Sequence, residues 1–328
     1  MKDKIKYNKN GIVIKNIEYE NVRLKYFLSS YNLIFWSESW INMFGDAIKI
    51  YSINKGDEII GAFYLYEIKK FGIRYFKSPP FTPNNGLLYK NNAINRSKFN
   101  SNNKQILLAI SSFLKRLKCE IILFQLPIDI KDVQPFLWEK FKVSLSYTYL
   151  INFDEKEVVI NNYDSSLKSD ISKAIRDGIL VKKVEDYDII RQLVIKTFRR
   201  QNLSTSFFLD KILFEFATPL NSFAFVTYKD ESPSACVFCV FDETTAYYII
   251  SGYDNNNRHR GAGPLALHTG IEYAQKLGIC NFDFEGSMLK NIESYFRGFG
   301  GLLTPKIDIH RAILPLEFVL KLIKRNIY

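Results

Sequence analysis

Histidine and cysteine are scarce in this chain, and each scarcity excludes a class of chemistry. There are three histidines among 328 residues, His259, His268 and His310. No two stand at the i, i+4 spacing that sets a pair of zinc ligands on one helix face, so no metal is expected. The four cysteines, Cys119, Cys236, Cys239 and Cys280, are too few for a disulfide framework and fit a reducing compartment. Cys236 and Cys239 form a C-x-x-C within SACVFCVF, which reads as a buried strand. Odd spacing on a strand sends the two side chains to opposite faces, which excludes a redox pair or a shared metal. No apolar run is long enough to span a bilayer, and the opening MKDKIKYNKNGIVIKN has no apolar signal core. The expectation is a soluble, cytoplasmic protein. No Ser-His-Asp arrangement is suggested locally, and Gly286-Ser287 is not part of a G-x-S-x-G elbow.

What is present is apolar and basic. Hydrophobic residues make up 47% and aromatics 15%, led by 27 Phe and 20 Tyr, which suffices for packed cores. The length suits two domains of about 150 residues each. A net charge of +11 favours polyanionic partners: a phosphorylated cofactor, a nucleotide sugar, RNA or an anionic membrane surface. Lys and Asn enrichment from an AT-rich genome accounts for the same charge. The basic stretch Lys196–Arg200 reads as a solvated helix end. Leu314–Tyr328 reads as an amphipathic basic helix carrying Lys321, Lys324 and Arg325, packed on the protein or resting on a membrane.

The two halves repeat one order of elements. In the first, strands at Ile48–Ile53 and Ile59–Tyr66 flank a turn at Asn54–Asp57. A polar loop, Lys90–Asn103, leads to a helix at Lys104–Lys118 with Ile106, Ile110, Phe113 and Leu117 on one face. Then come a strand at Ile121–Gln125, a short helix at Pro135–Phe141 and a strand near Ser146–Asn152. The second half reads as strands at Phe223–Tyr228, Ala235–Phe241 and Ala246–Ser251, then a helix at Pro264–Leu277. A strand at Cys280–Glu285, a short helix at Ile292–Phe299 and a strand at Lys306–His310 complete it. A matching order argues for duplication. The join lies near Asp154–Asn162, followed by a helix at Ser165–Asp177 that Gly178 ends. The expected domains are therefore residues 1–153 and 154–328.

The two copies differ where chemistry would sit. Only the second has Arg258-His259-Arg260-Gly261-Ala262-Gly263, an R-x-x-G-x-G hexad between a strand and a proline-started helix. Glycines there let backbone N–H groups approach a phosphate, and the helix N-terminus adds positive potential. Arg258 and Arg260 could neutralise a pyrophosphate, with His259 beside it. After the helix, Phe282-Asp283-Phe284-Glu285 alternates, so Asp283 and Glu285 share one face. Two carboxylates at the end of a core strand are costly unless solvated, paired or functional. Glu285, nearer the strand end, is the leading candidate for a general base, and Asp283 the second. Either could instead cap the loop or pair with Arg297.

The hexad and the phrase FDFEGSM…IESYFRGFGG resemble the GCN5-related acyltransferases, in the FemAB-like and BioF2-like branch with two such domains in tandem. The segment Ser165–Gly178 also resembles the helix opening the second domain of that branch. The resemblance implies an α/β fold of tandem acetyltransferase-like domains, each a mixed twisted sheet flanked by helices. The first would be a degenerate copy serving architecture and substrate binding. It implies acetyl-CoA or another acyl-CoA as co-substrate, held by the hexad, with the acyl group passing to an amine on a small or sugar-linked acceptor. A link to cell-envelope synthesis rests on the same resemblance. Typical members use a tyrosine of the last helix as general acid; here Phe296 falls at that position and Tyr295 one residue away. Tyr295 could serve, or both could pack the core. Arg297 and Ser287 are candidates for holding the acceptor.

Two other readings stay open. FemAB-type enzymes take an aminoacyl group from aminoacyl-tRNA, with which the +11 charge is compatible. The intact hexad and the lack of a long coiled-coil insertion argue against that donor, and DNA is not an expected partner. In the second reading both copies are degenerate, leaving a binding protein for a nucleotide or envelope precursor, with Phe296 as its support.

Overall fold

The computed structural model describes residues 6–9, 11–153, 159–202, 204, 207–286 and 288–323. The chain divides into two compact units, Met1–Ser146 with Pro305–Tyr328, and Tyr147–Thr304. The divisions therefore fall at 146/147 and 304/305, not at 153 alone. The C-terminal stretch returns to the first unit because its strand pairs there, from Asp308↔Gln125 to Ala312↔Ile121.

The first unit opens with β1 (Lys6–Lys9), β2 (Ile12–Ile17), α1 (Val22–Leu28) and α2 (Glu38–Asn42). Next come β3 (Ile48–Lys55), β4 (Glu58–Lys70), β5 (Ile73–Lys77), β6 (Leu88–Tyr89) and α3 (Arg96–Arg116). It continues with β7 (Ile121–Gln125), α4 (Gln134–Trp138) and the first part of β8 (Lys142–Asn152). β1 to β5 pair antiparallel in sequence, and β7 then joins β5 in parallel, with Phe76 opposite Ile122. α3 is the crossover that a parallel pair requires. It starts earlier than the polar composition of residues 96–103 suggests. The Asn95 side chain accepts from the Lys98 N–H at 3.0 Å, so the polar residues form a solvated first turn rather than a loop. Alternation along the strands feeds two cores. Tyr51, Phe63 and Phe124 pack with Phe113 of α3, while Ile50, Tyr64 and Trp36 pack with Leu24 and Phe27 of α1.

The second unit contains α5 (Ser165–Arg176), β9 (Leu180–Lys183), α6 (Tyr187–Arg200) and α7 (Phe207–Lys211). β10 (Ser222–Lys229), β11 (Ser232–Phe241) and β12 (Thr245–Tyr253) follow, then α8 (Ala262–Lys276) and β13 (Asn281–Asp283). α9 (Lys290–Arg297) and the start of β14 (Leu302–Ala312) complete it, and α10 (Leu314–Ile323) belongs to the first unit. β9 to β12 are antiparallel neighbours. β13 then pairs with β12 in parallel from Thr245↔Asn281 to Tyr247↔Asp283 only, with α8 as crossover. β12 runs on to Tyr253, so the two strands part company after Tyr247. Phe282, Phe284, Phe296 and Phe299 pack with α5 and α8 residues in one core. Burying each such side chain is worth about 1.5–3 kcal/mol. Cys239 belongs to that core, whereas Cys236 Sγ faces the Ile190 carbonyl of α6 at 4.0 Å, so the two lie on opposite faces.

No helix among the described residues is long and apolar enough to cross a membrane. Lys324 and Arg325 of the expected C-terminal helix lie outside the described residues.

Candidate active site

Parallel α/β strands offer a ligand site beyond their carboxyl ends, where the crossover helix starts. In the second unit that end brings together the start of α8, the turn after β13 and one face of α9. The N-cap of α8 is Gly261, and no side chain caps the helix. Of its first N–H groups, those of Gly261 and Ala262 are held by His259 and Pro264 has none, which leaves the Gly263 N–H for an anion.

The hexad splits into two parts. Its first part is fastened to α5. Arg260 Nε donates to Asp170 Oδ2 at 2.8 Å. The Gly261 N–H donates to His259 Nδ1 at 3.1 Å, which leaves His259 Nε2 to donate to Asp177 Oδ2, also at 3.1 Å. A Cβ on Gly261 would lie 2.0 Å from the Asp170 carbonyl oxygen, so glycine is required there by packing alone. Ala262 is buried and Arg258 is exposed. The second part is open. A Cβ on Gly263 would meet only the Tyr295 hydroxyl, at 3.7 Å, so nothing in the folded protein itself demands glycine there.

That hydroxyl resolves which aromatic of α9 faces the site. Phe296 is buried against Phe284 and Tyr248, with ring centroids at 5.2 and 5.8 Å. Tyr295 packs edge-on to Phe299 and directs its hydroxyl to the first turn of α8. Burial, with Tyr248 and Tyr163 nearby, holds the Tyr295 hydroxyl protonated well above the usual tyrosine range.

β13 ends sooner than the alternating pattern suggests. Glu285 takes φ +57° and Gly286 φ +74°, so the chain turns away after Phe284. A Cβ on Gly286 would lie 2.2 Å from the Tyr147 carbonyl oxygen. A left-handed glutamate costs about 1–3 kcal/mol and tends to mark a functional position. Asp283 is 5% exposed and organises this turn. Its Oδ1 accepts from Thr148 Oγ1 at 2.5 Å and from the Glu285 N–H at 2.8 Å. Glu285 Oε1 is buried. The negative charges of both carboxylates, after burial, help raise the hydroxyl pKa of Tyr247, the residue opposite Asp283.

Arg297 does not pair with either carboxylate. Its Nε donates to Glu293 Oε1 at 3.0 Å, one turn back on α9. Tyr149 also donates to Glu293 Oε1, at 2.6 Å, and that bond first, with Arg297, holds Glu293 below the usual carboxylate range. Ser287 lies outside the described residues. His268 is tied to Tyr163, its Nδ1 3.3 Å from the hydroxyl, and His310 lies with Ser144 in the first unit. Among the described residues no group of three or more His, Cys, Asp or Glu could hold a metal ion. Sequence reasoning missed Thr148, Tyr149, Tyr247, Asp170 and Asp177. The i, i+7 spacing of Asp170 in α5 and Asp177 at its C-terminal cap was a usable signal; Thr148 and Tyr149 left none.

Residues 166–297 match the family model described as an acetyltransferase (GNAT) domain. The second unit is a GNAT N-acyltransferase domain. Over its length the chain shares the fold of FemX, with 13% identity and a TM-score of 0.62 across 94% of this chain and 99% of that one. It is similar also to L-PGS from Bacillus licheniformis, with 10% identity and a TM-score of 0.57 across 98% and 99%. A conserved protein from Bacteroides thetaiotaomicron gives 9% identity and a TM-score of 0.60 across 91% and 99%. No curated protein matches the sequence. The GNAT domain includes the whole hexad, both carboxylates and Tyr295.

Proposed function

We propose that the GNAT domain transfers an acyl group from an acyl-coenzyme A thioester to an amine on a small or sugar-linked acceptor. The observation that carries this reading is the meeting of the Tyr295 hydroxyl with the uncapped first turn of α8 at Gly263, where the folded protein leaves room for a ligand. Pyrophosphate would take the Gly263 N–H of that turn and the charge of Arg258. The thioester supplies the activated acyl carbon. Glu285 takes the proton that the acceptor ammonium must lose before its nitrogen can attack. The N–C bond forms and the C–S bond breaks; Tyr295, held protonated by burial, gives its proton to the departing sulfur, and the proton that the acylated nitrogen then loses returns to the Tyr295 oxygen. Asp283 acts as a positioning residue, fixing the Glu285 backbone through the bond from its N–H.

One observation favours a second donor. Arg260 and His259 are already engaged by Asp170 and Asp177, which removes part of the hexad's charge from any pyrophosphate. Aminoacyl-tRNA, the donor implied by the FemAB-like resemblance, needs no such cradle. The fold shared with FemX and the +11 charge suit it.

Isothermal titration with acetyl-coenzyme A separates the two. Gly263→Glu is the useful variant, because Gly261 substitutions would disturb folding by themselves. Micromolar binding lost in Gly263→Glu supports the thioester donor. Absent binding in folded protein, with salt-sensitive binding of aminoacyl-tRNA, transfers the reading to the second donor. Absence of both overturns acyl transfer from either.

A further inference from the structure

The first unit holds a cavity of ≈ 890 Å³ that the reading above does not use. Its size falls within the range of about 300–1,000 Å³ common for small-molecule sites. It lies at the end of the sheet where β3 and β5 begin and α3 finishes, the pole opposite the carboxyl end of β7. The lining draws on both cores of the unit, so the cavity passes across the ends of β2 and β3. Phe113, Leu117 and Phe76 supply apolar wall on the α3 side, and Ile17, Ile41 and Ile48 on the α2 side.

Charge is unevenly placed around those walls. Glu67 is nearly buried and is neutralised by Arg74 and, at 3.5 Å, by Lys69. Arg116 and Lys118, at the end of α3, have no carboxylate within salt-bridge distance among the described residues. Arg116 stacks over the Tyr7 ring, its guanidinium carbon 5.0 Å from the centroid. A helix C-terminus ordinarily repels anions. Here cations meet the carbonyls at that end: Arg311 donates to Lys115 O in the last turn, and Arg74 Nη1 donates to Lys118 O just beyond the helix, at 3.1 Å. The remaining carboxylates of the lining, Glu18 and Asp46, belong to the α2 side. On the α2 side Lys49 stands beside those two carboxylates, so an anionic group is favoured at the α3 end over the other, while apolar wall runs between them.

We propose that this cavity binds an amphiphilic organic anion, an acyl chain carrying a carboxylate or phosphate head. The head lies against Arg116 and Lys118, and the chain runs over Phe113 and Leu117 toward Ile41.

The test is calorimetric titration of the full chain with decanoate, decyl phosphate and decyltrimethylammonium, each below its aggregation concentration. The partner variant is Arg116→Gln/Lys118→Gln, whose side chains are exposed, so folding is preserved. The expected result is binding of one or both anions, no binding of the cation, and at least tenfold weaker anion binding in the variant. The tighter of the two anions identifies the head group. The proposal is overturned if neither anion binds folded protein, if the cation binds as well, or if the double variant binds the anions unchanged.

Discussion

The two units follow the same order of elements and differ at the ends of their parallel strand pairs. In the first unit the polar side chains of that end hydrogen-bond one another or cap the crossover helix. The Asn95 side chain caps α3. Gln125, at the end of β7, accepts from Ser78 Oγ and donates to Asp308 Oδ1 at 3.1 Å. Its backbone N–H donates to Asn85 Oδ1 at 2.8 Å, and Ser146 holds the second Asp308 oxygen at 3.1 Å. In the GNAT domain the equivalent helix begins with a glycine and no side-chain cap, and the equivalent strand ends in a left-handed glutamate. A closed polar network specifies a scaffold. An uncapped helix start, with a strand that ends in a strained backbone turn, leaves a place for a substrate.

The largest effect expected from breaking this contrast is on turnover. Glu285→Gln should lower kcat by about 100- to 10,000-fold, the usual worth of a general base. Asp308→Asn, at the closed end, should leave kcat unchanged. Steady-state rates with the donor that binds decide between them, and a loss in Asp308→Asn with full activity in Glu285→Gln would place the chemistry in the other unit. Tyr295→Phe should cost about 100-fold in kcat with little change in KM. Because burial raises the Tyr295 hydroxyl pKa, the wild-type rate should show no alkaline limb from this group below about pH 10. A limb that vanishes in Tyr295→Phe at lower pH would contradict that assignment.

Within the hexad, the two glycines should part company. Gly261→Ala forces a methyl against the Asp170 carbonyl and should destabilise by about 1–3 kcal/mol, as overpacking does. Gly263→Ala meets only ordinary contact at 3.7 Å and should be neutral, or stabilising by up to about 1 kcal/mol from helix propensity. Urea unfolding of both variants measures the difference. Equal losses would mean that the second part of the hexad is also structural.

The sequence made local features legible. The order of strands and helices and the opening helix of the second unit follow from periodicity and turn residues. What stayed hidden depends on contacts between distant residues. Arg260 and His259 read as free to meet a ligand because Asp170 and Asp177 lie more than 80 residues earlier. Glu285 reads as the last residue of a strand because nothing local announces a φ of +57°. The polar stretch from Arg96 reads as a loop because a single asparagine cap outweighs its composition. The return of β14 to the first unit needs its register with β7, which no sequence window contains.

The smallest effect belongs to a closed network of the first unit, and its sign separates scaffold from site. Glu139 accepts from Ser112 Oγ at 2.6 Å, from Lys115 Nζ at 2.9 Å and from Lys9 Nζ at 3.0 Å. The Ser112 bond first, then the two lysines, pull its carboxyl down to about 2. A folded-state pKa below the unfolded one stabilises the protein above the unfolded value, here near 4.5. That stabilisation fades as pH falls toward about 2. Glu139→Gln should therefore be less stable than wild type at pH 7, and the gap should close on acidification through that window. Both lysines are partly solvated, so added salt should narrow the gap at pH 7 as well. Denaturation midpoints of the two proteins at several pH values test this. Parallel curves would show that the Glu139 cluster contributes no pH-dependent stability, and that the first unit draws its acid sensitivity from other carboxylates.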